Sequence, residues 1–257
     1  MNAIADVQSS ADTRNQPIYR VGIKDLRVPL KLSTLQGVQH TVASVTMAVY
    51  LPAEQKGTHM SRFVALIEAY DDAIDYDALA LLTRTMLRDL ASDSGEIQIR
   101  APFFRTKSAP ISGIKSLMDY DLTLTGEMTD GVYRQTLQVV VPVTSLCPCS
   151  KEISDYGAHN QRSHVTVSLC SDSAIDPEEV IDLVEKQASC QLYGLLKRPD
   201  EKYVTEYAYD NPKFVEDIVR DVAAALKAEA RVHCFVVESE NFESIHNHSA
   251  YAKIVYP

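Results

Sequence analysis

The segment Pro142–His164, PVTSLCPCSKEISDYGAHNQRSH, holds two of the five cysteines and two of the seven histidines of the 257-residue chain. It lies between two apolar runs that are typical of strands. Thiolate and imidazole groups bind borderline-soft divalent metals, and a loop between two rigid strands can hold them precisely. The segment therefore predicts a strand–loop–strand unit whose loop carries the reactive side chains of a functional site.

Cys147 and Cys149 flank Pro148, which favours an extended conformation of the residue before it. On an extended chain the two sulfurs would face one pocket, and a turn at Asp155–Gly157 would return His159 to them. The alternative is that both cysteines are small buried apolar residues, because a Cys-Pro-Cys triplet indicates metal only weakly. The spacing lacks the paired Cys-x-x-Cys units of a structural zinc site. It favours a catalytic site that distant ligands complete, with a position open for water.

Composition limits the function classes. The chain is 46% hydrophobic and 23% charged, which is ample material for the core of one large domain or two smaller ones. A net charge of −10 argues against broad nucleic-acid binding, since a phosphate-binding surface normally carries a basic excess. A small anionic substrate is still compatible with this charge, because a local cluster of Arg and Lys can bind it.

The cysteine count and the N-terminal sequence predict the compartment. Five cysteines are few for a disulfide framework, and the N-terminal residues have no basic start followed by an apolar run. No run of 18 apolar residues is present, so no membrane contact is expected. The sequence predicts a protein of the reducing cytoplasm.

Hydrophobic periodicity predicts similar orders of elements in the two halves. Strands are expected at Tyr19–Leu30, Gln39–Leu51, 97–103, Met118–Met128, Tyr133–Thr144, Ser163–Ser171, 232–236 and Ala250–Tyr256. Helices are expected at His59–Glu68, at Ala78–Leu90, after Asp176-Pro177 and after Asn211-Pro212. Each half reads strand, strand, helix, helix, strand, strand, which indicates an internal duplication. The predicted organisation is a flexible arm at 1–17, one module at 18–130 and a second at 131–257.

Antiparallel sheets with helices on one face leave the other face to be covered. Such units are expected to assemble with copies of themselves. Edge-to-edge assembly would form a barrel with the helices outside and with pockets lined by two chains.

Four segments, in order, resemble the GTP cyclohydrolases of the prokaryotic type IB. They are Pro142–His164, GTHMSRF at Gly57–Phe63, DNPKFVEDIVRDV at Asp210–Val222 and ENFESIHNHSAYA at Glu240–Ala252. The resemblance implies an α+β tunnelling fold (T-fold), with two tandem ββααββ modules per chain, antiparallel sheets and assembly into a homotetrameric barrel. It also implies hydrolysis of GTP to 7,8-dihydroneopterin triphosphate and formate, the first step toward tetrahydrofolate.

The resemblance further implies one divalent metal per active site, Mn²⁺, Fe²⁺ or Zn²⁺. Cys147 and His159 are expected as ligands, joined by Glu201, Glu243 and His246 as ligands or near neighbours. A bound metal lowers the pKa of water from about 15.7 to roughly 7, which suits attack on C8 of the guanine ring. Carboxylate and imidazole ligands tolerate manganese and iron as well as zinc.

Two more residues receive catalytic roles. Cys149 is the candidate for acid–base help near C8, with a second ligand or a packing residue as the alternatives. Glu216 lies on the flank of the apolar stripe of its predicted helix, and by itself would be read as a solvated carboxylate. The resemblance makes Glu216 the anchor that accepts two hydrogen bonds from the purine edge.

The triphosphate requires cations, and six lie near the motif segments without an order of preference: Arg62, Arg105, Lys107, Lys115, Lys151 and Arg162. Two other functions compete with this hypothesis. One is a non-catalytic metal-binding or scaffold protein, and the other is a different enzyme of the tunnelling fold, such as a pterin aldolase or a nitrile-forming or nitrile-reducing relative.

Overall fold

The computed structural model describes Gln8 and residues 10–257. These residues form ten strands and six helices. The strands are β1 (Ile18–Thr34), β2 (Gly37–Leu51), β3 (Ala73–Ile74), β4 (Gly95–Ser108), β5 (Lys115–Thr129), β6 (Val132–Leu146), β7 (Asn160–Ser171), β8 (Cys190–Gln191), β9 (Val232–Asn241) and β10 (Ala250–Tyr256). The helices are α1 (Met60–Glu68), α2 (Tyr76–Asp89), α3 (Pro148–Ile153), α4 (Pro177–Gln187), α5 (Arg198–Asp210) and α6 (Val215–Ala228). No described helix is long and apolar enough to cross a membrane.

The strands of the described residues join in one ten-stranded sheet in the order β10-β9-β7-β6-β5-β4-β2-β1-β3, with β8 paired to β6. The predicted fold class, a tunnelling fold of two ββααββ modules with separate antiparallel sheets, is therefore wrong. The turn between β5 and β6 explains the difference. Asp130 and Gly131 both have positive φ, 52° and 76°, as a tight two-residue hairpin requires. This hairpin continues one sheet where the sequence suggested a break.

The chain divides into two compact units. One contains the described residues up to Ala101 together with Thr123–Thr136, and the other contains Pro102–Leu122 and Leu137–Pro257. The core of the first unit includes Phe63 and Met86, both fully buried. In the second unit the predicted alternation of β6 is observed, because Val139, Val141 and Val143 are fully buried while their neighbours are partly exposed.

Most predicted elements are confirmed, but the helices after Gln187 differ. The helix predicted to open at Asn211-Pro212 begins at Val215, and Asn211 instead ends α5. The sequence analysis missed α5 because its residues are mainly charged and aromatic and give no clear apolar stripe. The Pro199-Asp200 pair was the available signal, since proline favours the first helical turn and acidic residues follow it.

The predicted arm at 1–17 lies partly outside the described residues, which omit residues 1–7 and residue 9. In the part that is described, Lys56 N donates to Ser10 O at 3.1 Å and Asp12 N donates to Glu54 O at 2.9 Å. Ala11 forms an isolated antiparallel bridge with Gln55. This short stretch therefore pairs with the segment that follows β2.

A buried ion pair joins α4 to β4. Lys107 and Glu185 are only 7% and 8% exposed, and their charged atoms lie 2.7 Å apart. Tyr120 Oη donates to the same carboxylate at 3.1 Å. Burial lowers the pKa of Lys107, and the nearby Glu185 carboxylate opposes that effect. The pair therefore constrains how α4 packs against β4. Its attraction has to offset the hydration that both ions lose on burial.

Replacing Glu185 with Leu is expected to destabilise the protein by about 3–5 kcal/mol, because Lys107 would remain buried without a counter-ion. Urea denaturation measures the change in the free energy of unfolding. The double variant Lys107→Met/Glu185→Leu should recover most of that loss, since it removes both charges. A double variant that is less stable than Glu185→Leu alone would contradict this account.

Candidate active site

The loop between β6 and β7 begins at Cys147, which caps the N-terminus of α3. Its φ and ψ, −69° and 115°, are extended as predicted, and its Sγ accepts a hydrogen bond from Ser150 N at 3.4 Å. The extended geometry predicted for the whole Cys-Pro-Cys triplet is wrong, because Pro148 starts a helix instead. Cys149 consequently lies in the first turn of α3 and is exposed.

His159 returns to Cys147, as the sequence analysis predicted. Cys147 N donates to His159 O at 3.1 Å, and His159 N donates to Ser150 Oγ at 3.2 Å. Gly157 has φ of 109°, a conformation that favours glycine and lets the chain reverse just before His159. The first two predicted metal ligands are thus held at the two ends of one closed loop.

The segment after β9 approaches the same loop. Phe242 N donates to Arg162 O at 3.0 Å, and Ser244 Oγ lies 3.3 Å from His159 Nδ1. Next to Ser244 in the chain, Glu243 Oε2 lies 3.3 Å from His246 Nδ1. The side chain of Glu243 is 13% exposed and that of His246 is 55% exposed. This segment therefore brings a carboxylate–imidazole pair near His159.

The two remaining predicted residues lie on helices next to the loop. Lys213 N donates to Leu146 O at 3.0 Å, which fixes the start of α6 beside the end of β6. Glu216 is exposed in the first turn of α6.

Lys151 Nζ donates to Tyr209 O at 2.5 Å and so links α3 to α5. Glu201 is exposed in the first turn of α5.

Within the described residues, no three His, Cys, Asp or Glu side chains form a group that could hold a metal ion. The donor chemistry of Cys147 and His159 nevertheless fits a metal. The Nδ1 atom of His159 lies 3.0 Å from Gln161 Oε1, whereas Nε2 has no hydrogen bond to any described residue. A ligating histidine is normally held in this way through its other ring nitrogen. Further donors would have to come from Glu201, Glu243 and His246, or from other copies of the chain.

Asp200 connects the turn between β4 and β5 to the start of α5. It is fully buried, and its carboxylate accepts hydrogen bonds from Ile111 N at 2.9 Å, Ser112 N at 2.8 Å and Ser112 Oγ at 2.7 Å. Lys197 N donates to the same carboxylate at 2.9 Å. Burial by itself would raise the pKa of Asp200, but these hydrogen bonds outweigh it and hold the pKa far below the ordinary value. Asp200 thereby fixes the helical turn that carries Glu201.

A separate polar cavity of about 330 Å³ lies between β4, α4 and α5. Arg105 forms an ion pair with Asp182 at 2.6 Å at its edge, and the Lys107–Glu185 pair lines it. Tyr193 also lines it, with its ring 4.7 Å from Lys107 Nζ. Arg105 and Lys107 are already paired with carboxylates, so an anion could bind to either of them only by displacing its carboxylate. Lys186 is a third cation in the lining.

Two polar residues that were not among the predicted site residues support the loop. Ser145 and Gln161 are buried on β6 and β7, at positions where the strand alternation would place apolar residues. A polar residue in an inward register, next to a candidate ligand, was the signal that would have identified them.

In fold, the chain is similar to urate oxidases. A hyper-thermostable AgUricase mutant aligns with a TM-score of 0.55 at 10% identity, covering 92% of this chain and 91% of that one. A hyperthermostable mutant of Bacillus sp. TB-90 urate oxidase aligns with a TM-score of 0.50 at 8% identity, covering 93% and 97%. At 10% and 8% identity, these two neighbours show a likeness of fold alone.

In sequence, residues 4–252 match the family model described as "Type I GTP cyclohydrolase folE2". A protein named GTP cyclohydrolase FolE2 from Neisseria gonorrhoeae (strain ATCC 700825 / FA 1090) is 69% identical over 257 residues, covering 100% of both chains. A second, from Herminiimonas arsenicoxydans, is 59% identical over 254 residues, covering 99% of this chain and 97% of its own. The chain therefore belongs to the FolE2 family of type I GTP cyclohydrolases. The predicted resemblance to GTP cyclohydrolases is confirmed, and FolE2 replaces the type IB description.

Replacing Asp200 with Asn is expected to lower the free energy of unfolding at pH 7, because four hydrogen bonds to a charged acceptor are weakened. The folded-state pKa of Asp200 lies below the ordinary value of 3.8, so its contribution is complete well above pH 3.8 and declines progressively as the pH falls below 3.8 toward the folded-state pKa. The gap between wild type and variant, measured by urea denaturation, should shrink between pH 5 and pH 3.

Asp93→Asn is the matched control, since Asp93 is an exposed loop carboxylate. It should leave the free energy of unfolding nearly unchanged at every pH. A gap for Asp200→Asn that is the same at pH 7 and pH 3 would show that the charge of Asp200 is not what stabilises this turn.

Proposed function

We propose that this chain is a metal-dependent GTP cyclohydrolase that converts GTP and water into 7,8-dihydroneopterin triphosphate and formate. This is the first step of tetrahydrofolate biosynthesis. The observation that carries the proposal is the 69% identity, over the full length of both chains, to a protein named GTP cyclohydrolase FolE2. The five free cysteines suit a reducing compartment, which supports a cytoplasmic location.

Cys147 and His159 are the proposed core of the metal site, with Glu201, Glu243 and His246 completing the set. When bound, the metal supplies a nucleophilic water at neutral pH for attack on C8 of the guanine ring. The protein's part is to hold Cys147 and His159 on a closed loop, which fixes their separation. One thiolate with imidazoles and carboxylates suits Mn²⁺, Fe²⁺ or Zn²⁺, whereas an all-thiolate set would favour zinc.

We further propose a homotetramer with active sites at subunit borders. The proposal is supported by the exposure of the outer donors, since Glu201 and His246 are exposed and neither joins Cys147 and His159 in a group of three within the described chain. Donors that are presented at a surface can meet those of a second copy. A site enclosed at such a border would also exclude bulk water from the reactive centre.

Glu216 is the proposed guanine anchor. Its carboxylate can accept hydrogen bonds from the ring N–H and the exocyclic amino group together, which neither an amide nor a hydroxyl can do as well. The hydrogen bond from Lys213 N to Leu146 O supports this role, because it keeps the first turn of α6 beside Cys147. Cys149 is the proposed acid–base group, and its exposure in the same loop leaves it accessible to substrate.

The contacts of the six candidate cations narrow the choice for the triphosphate. Four of them have internal partners: Arg105 and Lys107 are in ion pairs, Arg62 donates to Asp89 O and Lys151 donates to Tyr209 O. Arg162 and Lys115 are exposed and make no side-chain hydrogen bond or ion pair with the described residues. Phe242 N donates to Arg162 O at 3.0 Å, which places Arg162 beside the segment that carries Glu243 and His246. We therefore assign Arg162 first among the triphosphate ligands.

The purified chain should produce formate and, after oxidation, a fluorescent pterin when it is incubated with GTP and Mn²⁺, Fe²⁺ or Zn²⁺. A chelator should abolish both products, and the metal should restore them. The absence of product with every metal would contradict the proposal and favour a scaffold protein. Release of a different product from a pterin substrate would favour another enzyme class.

Glu216→Gln should lower kcat/KM for GTP by roughly 100-fold or more, because one of two purine contacts loses its acceptor. Inosine triphosphate lacks the exocyclic amino group, so wild type should prefer GTP over it, and the variant should lose much of that preference. Steady-state kinetics with both nucleotides measure the ratio. Glu206→Gln, an exposed glutamate of α5 in an i,i+4 pair with Lys202, is the control and should leave kcat/KM unchanged.

A further inference from the structure

A chain of hydrogen bonds runs inward from His159. Its Nδ1 lies 3.0 Å from Gln161 Oε1, and Gln161 Nε2 donates to Ser145 Oγ at 2.7 Å. Ser145 Oγ in turn lies 2.8 Å from Ser163 Oγ. Four polar side chains therefore form one continuous series from the candidate metal site into the sheet.

The inner members of this series are buried. Gln161 is 8% exposed, and Ser145 and Ser163 are fully buried on β6 and β7. A buried polar group without a partner is costly, so each member has to keep its neighbour. Because Gln161 and Ser163 are two residues apart on one strand, they share a face of the sheet. The series is consequently a fixed part of the fold and not an adjustable surface contact.

The direction of the series determines where the imidazole carries its proton. An amide oxygen can only accept, so with Oε1 facing the ring, Nδ1 of His159 must carry the hydrogen. Nε2 then keeps its lone pair, and Nε2 has no hydrogen bond to the described residues. A neutral histidine binds a metal through the nitrogen that carries no proton.

Ser244 also approaches Nδ1, with its Oγ at 3.3 Å. It is exposed, and a hydroxyl can either donate or accept by rotating. Ser244 therefore cannot determine which ring nitrogen of His159 carries the proton, whereas the buried amide of Gln161 can.

We propose that Gln161 is a positioning residue that fixes His159 with the proton on Nδ1 and with Nε2 directed to the divalent metal. This inference rests on the proposed metal-dependent function. It gives the buried series Gln161–Ser145–Ser163 a role in metal affinity that a merely structural polar cluster would not have. The opposite orientation of the amide would donate to Nδ1 and leave the proton on Nε2, where it blocks the metal.

The full-length chain, stripped of metal with a chelator, tests this through its affinity for Zn²⁺ in competition with a chromophoric chelator. Gln161→Leu, which removes the acceptor, should weaken Zn²⁺ binding by about 10–100-fold. Gln161→Glu keeps an acceptor at Nδ1 and should retain the affinity to within about threefold, although it loses the donor to Ser145.

The control is Gln138→Leu. Gln138 Nε2 donates to Ser168 Oγ at 2.8 Å, which is the same pair of residue types on the same two strands but outside the site. This variant should leave Zn²⁺ affinity unchanged. Thermal melting of the metal-free proteins shows whether any variant has lost its fold, and Gln161→Glu keeps the test valid if Gln161→Leu does not fold.

Two results would overturn the inference while leaving the metal site intact. One is Zn²⁺ binding that depends on His159, as shown by its loss in His159→Ala, but is unchanged in Gln161→Leu. The other is a loss in Gln161→Glu as large as that in Gln161→Leu, because it would mean that the amide donates to the ring. Wild-type protein that binds no Zn²⁺, or binding that is unchanged in His159→Ala, would overturn the metal site together with the role of Gln161.

Discussion

The hydrogen bond from Cys147 N to His159 O is the constraint on which the candidate site depends. It closes the loop between β6 and β7 at its base, so that the two proposed metal ligands are held at the ends of adjacent strands. Ser150 reinforces the closure, because its N–H donates to Cys147 Sγ and its Oγ accepts from His159 N. Other donors reach the site from elements that contact this loop.

Buried polar groups make the arrangement specific. Asp200 holds the turn between β4 and β5 against the start of α5, and Gln161 holds the His159 ring against the sheet. Each is expensive to bury unless every partner is in place, so each tolerates only one local arrangement. The side chains of Glu201 and His246 are nevertheless exposed, which fits the proposal that the site is completed on assembly and metal binding.

Strand periodicity and the four motif segments were sufficient to predict most strands, four of the helices and the return of His159 to Cys147. These patterns failed where a residue type suits more than one conformation, or where the partners of a residue are distant in sequence. Pro148 was read as extending the chain, but proline is equally suited to the first turn of a helix, and α3 begins there. The continuous sheet was not predicted because the sequence Asp130-Gly131 is equally typical of a boundary between two modules and of a hairpin turn within one sheet. Two partners of Asp200, Ile111 and Ser112, lie 89 and 88 residues away, so no local pattern reveals them.

X-ray absorption spectroscopy of the zinc-loaded protein tests the central claim most directly. The account predicts one sulfur ligand at about 2.3 Å with nitrogen and oxygen ligands at about 2.0–2.2 Å. The sulfur contribution should disappear in Cys147→Ser and persist in Cys149→Ser. A zinc site without sulfur in the wild-type protein, or one whose sulfur survives in Cys147→Ser, would contradict the assignment of Cys147 as the sulfur ligand.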